Sequence, residues 1–194
     1  MNNTFPAIGT MCLAVLLTSC SSVPLQSLIQ LSRIDAEATD LSALRFAVRL
    51  PNALRPRPGG VNMEAIVKVG GEADQTTSFL LTEAHDPAEL SAAPGAAAPG
   101  FSTYVYRLAT ADIERFAALR LAAFKKRREG RSTSIGVGIA AKEFCSVGPL
   151  PAGALLSTTY LLTSETRSYV TVTKDLDLSR DAAIKQQLAR LASC

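Results

Sequence analysis

His85 is the only histidine in the chain, so any serine–histidine or cysteine–histidine scheme would have to run through it. Both schemes need an imidazole to take the nucleophile's proton. Glu83, Asp86 and Glu89 stand beside it, and a carboxylate-rich metal site or an acid–base pair can be drawn from the group. Two ligands alternating on a strand are geometrically possible, but this spacing matches none of the recurring zinc or calcium patterns. No Gly-x-Ser-x-Gly elbow supplies a nucleophile either. The residues therefore favour an exposed loop histidine in a protein with no metal, no cofactor and no enzymatic activity, with a hydrolase using His85 as an alternative.

Three other groups invite chemistry. Gly136-Val137-Gly138 lacks the third glycine that opens a helix in nucleotide loops, so it reads as sheet packing in which missing side chains let a backbone or helix approach. The run Lys125, Lys126, Arg127 and Arg128 could contact an anionic lipid or wall polymer, each cation near such a surface contributing on the order of 1 kcal/mol. It equally suits a solvated helix end, where cations complement the macrodipole. Arg120 falls in the middle of an apolar arc. It must either reach water along the core edge or, if buried, find a carboxylate partner. The net charge of +3 is mild and no basic stripe interleaves with aromatics, which argues against nucleic acid.

The compartment is written at the start of the chain. Residues 1–19 carry no charge and hold an apolar run, Met11 to Leu17, far short of the roughly 20 residues a membrane span needs. That pattern reads as a secretory leader. Its end, Leu17-Thr18-Ser19-Cys20, resembles the lipobox of bacterial lipoproteins. The resemblance implies acylation of Cys20, cleavage before it and a membrane anchor, since several acyl chains hold a membrane firmly where one does not. In that family an Asp after the cysteine favours the inner membrane. Ser21 stands there instead, which implies the periplasmic side of the outer membrane, or the cell membrane where no outer membrane exists.

With Cys20 committed to lipid and Cys12 removed with the leader, Cys145 and Cys194 would meet an oxidising compartment. A bridge between them would close a loop of roughly 50 residues, contributing about 4 kcal/mol through loop entropy. Two unlinked thiols are the other possibility.

These residues need elements to hold them. Residues 20–40 read as a lipidated tether with a short amphipathic turn, Leu25 to Leu31, and residues 41–194 as one domain. Strict alternation marks strands at Leu44 to Leu50, Val61 to Val69 and Thr76 to Ala84, expected to form an antiparallel meander. The Ala/Pro/Gly stretch from Asp86 to Gly100 should be a mobile surface loop. A strand at Ser102 to Leu108 precedes a helix capped by Thr110, whose inward arc is Ile113, Phe116, Ala117, Leu121 and Phe124. Strands at Thr133 to Cys145, Leu155 to Leu162 and Tyr169 to Thr173 follow. A last helix after Ser179 carries the stripe Ile184, Leu188 and Leu191, which aims Cys194 at the sheet. The sum is an α+β fold: an antiparallel sheet of about six to seven strands with two helices on one face. A β-sandwich with peripheral helices is the alternative.

The leading functional expectation is a non-catalytic, lipid-anchored module that binds an envelope protein or helps an assembly. Auxiliary lipoproteins of envelope transport systems are similar in size and anchoring, which makes a carrier of an apolar ligand the second expectation.

Overall fold

The computed structural model describes residues 24–95, 98–141 and 143–194. The leader, the Leu17–Cys20 motif and the lipidation site lie outside the described residues. The strands are β1 (Arg45–Pro51), β2 (Leu54–Pro56), β3 (Val61–Val69), β4 (Gln75–Glu83), β5 (Phe101–Leu108), β6 (Thr133–Ala141), β7 (Phe144–Ser146), β8 (Leu156–Leu162) and β9 (Val170–Asp177). The helices are α1 (Leu25–Leu31), α2 (Pro87–Ser91), α3 (Thr110–Arg128) and α4 (Ala182–Leu188).

Seven strands make one antiparallel sheet in the order β6-β3-β4-β5-β1-β8-β9, and β2 pairs with β7 in a small second sheet. This is the α+β architecture with a single large sheet. The alternating apolar positions supply its core: Phe46, Val48 and Leu50 of β1, Met63 and Ala65 of β3, and Phe79 and Leu81 of β4 are all buried. The sheet curls, so that Val137 near one edge and Leu161 towards the other line a common cleft.

The expected meander of the first three strands does not form. β3 and β4 do pair, but β1 sits between β5 and β8, with Phe46 opposite both Tyr106 and Leu161. The reason is that β1 is buried on both faces. Ala47, between the outward arginines, is fully covered by a second cluster with Ala84, Ala93, Val105 and Tyr160. Such a strand belongs in the middle of a sheet.

The segment expected to be a mobile loop forms much of that cover. Asp86 caps α2 by accepting the Ala88 amide at 2.8 Å, with Pro87 at the first helical position where its missing N–H is harmless. Glu89 then pairs with Arg45 at 2.8 Å, and Ala93 is buried. Composition alone concealed this, because alanine packs well against a sheet position occupied by another alanine.

Helix α3 covers the other face with Phe116, Ala123 and Phe124 buried, and the Phe116 ring lies 5.1 Å from that of Phe79. Two details differ from the sequence reading. Thr110 is the first helical residue rather than the cap, and the carboxylate of Asp112 accepts the Leu80 amide of β4. Leu121 is 66% exposed. Five residues past Phe116 puts it about 140° round the helix, outside the buried arc. The arc runs instead through Ile113, Phe116, Arg120 and Phe124. Ile184 and Leu188 of α4 join the same core as α3, as their spacing predicts, and so does Leu191, although α4 is capped by Asp181 and ends at Leu188, before the expected stripe reaches Leu191 and Cys194.

Candidate functional site

Residues 35–41 form a strap from the end of α3 to the β8–β9 turn. Its shape comes from Asp35, whose side chain accepts the amides of Glu37 and Ala38 while its carbonyl accepts the Thr39 amide at 2.8 Å and hydroxyl at 2.7 Å. Such an Asx turn lets an aspartate stand in for a turn of backbone. Three ties hold the strap to the domain. Glu37 makes a close ion pair with Arg128, the Thr39 hydroxyl donates to Glu165 at 2.9 Å, and Arg120 donates to the Thr39 carbonyl at 2.6 Å.

Asp40 ends the strap. The Ser42 hydroxyl and amide both donate to it, and with the Arg120 charge nearby they hold its carboxyl below the usual range. Glu165 is also held low: burial opposes ionisation there, but hydroxyl donors on Thr163, Thr39 and Ser164 outweigh it.

Under the strap lies an apolar cleft. Ile34, Ala36 and Leu41 roof it, Phe116 and Arg120 form one wall, and Ile135 and Val137 of β6 form another. Phe46 and Leu161 make the floor. The open space is about 70 Å³. Ligand sites run to about 300–1,000 Å³, so this is a narrow seam with room for a small apolar group. Arg120, the anomaly in the apolar arc, is thereby explained: half-buried, it hydrogen-bonds a strap carbonyl, not a carboxylate, and its charge acts on Asp40 only from nearby.

The other sequence candidates fall elsewhere. His85 is exposed, and the carboxylates around it have other work: Glu83 pairs with Arg55 at 3.7 Å, Asp86 caps α2, and Glu89 holds Arg45. Among the described residues no cluster of three metal-ligating side chains occurs. Of the basic run, Lys126 binds Glu72 at 2.8 Å and Arg128 binds Glu37. Arg127 lies 5.8 Å over the Phe124 ring, while Lys125 is exposed. Lys126 and Arg128 thus secure α3 to its neighbours. A side chain begun at Gly138 would meet nothing within 4 Å, and one at Gly136 only the Ile66 carbonyl at 4.0 Å, so no helix or further backbone packs over the face these glycines leave bare. The two glycines leave a flat outward surface on β6.

Cys145 and Cys194 are joined, their Cα atoms 5.0 Å apart. Around the bridge the C-terminal segment runs parallel to β7, with Ser146 accepting the Cys194 amide and donating its own to Ala192, both at 2.9 Å. Among the described residues no helix is long and apolar enough to cross a membrane. Compared with known protein families, curated proteins and solved structures, the chain matches none.

The strap is what sequence reasoning missed. Its signal was present in Asp35-Ala36-Glu37-Ala38-Thr39, an Asx-turn sequence with polar groups two and four residues on. It was obscured because residues without hydrophobic periodicity read as linker.

Proposed function

We propose that the chain is a lipid-anchored envelope protein whose domain faces the periplasm and serves as a non-catalytic module for binding or assembly with another envelope protein. The observation that carries the reading is the Cys145–Cys194 bridge, which belongs to oxidising compartments. It agrees with the lipobox pattern at Leu17–Cys20 and with the outer-membrane signal of Ser21. The acyl groups on Cys20 hold the protein to the membrane, and the folded surface is left to meet its partner. The test is crosslinking in cells followed by capture of the protein, beside a Cys20→Ala form. Membrane-dependent recovery of an envelope protein, lost with C20A, is the expected result. Recovery of none, together with an intact envelope after deletion, would remove the reading.

The cleft supports a second reading, a transport-accessory lipoprotein that carries an apolar ligand. At about 70 Å³ the seam admits such a ligand only if the strap lifts. Uptake of a fluorescent fatty acid that rises when Arg120 is replaced by Met would favour the carrier. Uptake by neither form would exclude it.

A further inference from the structure

Helix α1 shows water a mixed face, with Leu28 and Ile29 exposed beside Gln26 and Gln30. It buries its serine, Ser27, at 6% exposure, while Leu28 and Ile29 stand 49% and 63% exposed. A surface helix normally turns its apolar stripe to the core and its polar residues outward. Here the inward side packs along β9, and two large aliphatic side chains project from the domain. Isolated exposed leucines are ordinary on protein surfaces. Two adjacent on one short helix, opposite a buried serine, point to a second apolar phase.

Covalent reach limits what that phase can be. Four residue steps separate Cys20 from Pro24, the start of the described chain, a span of at most about 14 Å. From residue 21 to residue 32 the chain carries no charge, so no ion has to leave water, and the exposed Gln26 and Gln30 can stay at the level of the headgroups. Arg33 follows, placed to meet a phosphate as an arginine does at an interface.

We infer that α1 lies in the membrane surface, with Leu28 and Ile29 among the lipid headgroups and upper acyl chains, and so fixes how the domain faces its surroundings. The occupant of this apolar face is the bilayer that holds the anchor, and the inference rests on the Cys20 anchor proposed above. The domain is then held flat against the membrane at α1 rather than swinging on a flexible tether. Adjacent anchoring and interfacial insertion reinforce one another, because the acyl chains already deliver the helix to the surface.

The chain contains no tryptophan, so a single introduced indole is an unambiguous reporter. The acylated Ile29→Trp protein is reconstituted in phosphatidylcholine vesicles containing lipids brominated on their acyl chains. Val147→Trp serves as control. Val147 is 62% exposed and lies by Ala53 beyond the Pro51 end of β1, whereas the Thr39–Glu165 tie lies near the Arg45 end. Bromolipid quenching of the indole in the Ile29→Trp protein should exceed that in the Val147→Trp protein by about threefold or more, and a further Leu28→Glu change should abolish the excess. Equal, weak quenching at both sites in protein whose intact mass shows acylation overturns the docking and leaves the anchor standing. A chain shown by mass to carry no acyl group overturns both.

Discussion

Arg120 and Thr39, 81 residues apart in sequence, are joined by a 2.6 Å hydrogen bond from the guanidinium to a backbone carbonyl. The bond fixes the strap that links the first described helix to the sheet. Removing the donor with Arg120→Met keeps most of the apolar stem and loses the charge-assisted bond, which at a half-exposed site contributes about 1 kcal/mol. Urea unfolding should show that loss, and hydrogen exchange should show faster exchange of the Thr39 amide in particular. Unchanged exchange there would mean the strap is held by its other ties.

The bridge between Cys145 and Cys194 joins residues 49 apart in sequence. Exchange of both cysteines for serine should lower stability by about 2–4 kcal/mol, with exchange protection lost first at the Ser146 and Cys194 amides. Thermal unfolding with and without reductant checks this, since reductant should shift the native protein and leave the double variant unmoved.

Two apolar substitutions should separate sharply. Phe46 is 2% exposed and touches both the core and the cleft floor, so Phe46→Ala should cost about 3–5 kcal/mol. Leu121→Ala, on the solvent side of α3, should fall within about 0.5 kcal/mol of the native protein. A large effect at Leu121 in the isolated protein would contradict the helix orientation.

Glu72 ties the β3–β4 turn to α3. The bond from Lys126 is the main reason its carboxyl lies below the ordinary 4.5, with burial opposing and Arg131 assisting. A carboxyl depressed in the folded state favours folding at pH values above its unfolded value, and that contribution disappears as pH falls through the folded value. Between about pH 5 and pH 3 the native protein should therefore lose more stability than Glu72→Gln, read from urea midpoints at each pH. Parallel curves for the two would place the acid sensitivity elsewhere.

Where period-two alternation was strict, as in Val61 to Val69, the sequence predicted both the strand and its buried residues. The Cys145–Cys194 pair was also anticipated, but by a helical stripe that stops at Leu188; an extended segment paired with β7 is what brings Cys194 to its partner. Strand order was hidden because alternation says which face is buried and nothing about which neighbour binds the edges. Ala47 shows the limit: a small residue between two arginines looks solvated until Ala93 and Tyr160 close over it. Arg120 was legible as an anomaly, but its partner was not, since a backbone carbonyl carries no side-chain signature.

The intact mass of the non-reduced protein, purified from membranes, tests the anchor and the compartment together. The account predicts a chain that begins at Cys20, heavier by its acyl groups, with no titratable thiol among its cysteines. An unprocessed amino terminus, an unacylated Cys20 or free thiols at Cys145 and Cys194 would contradict it.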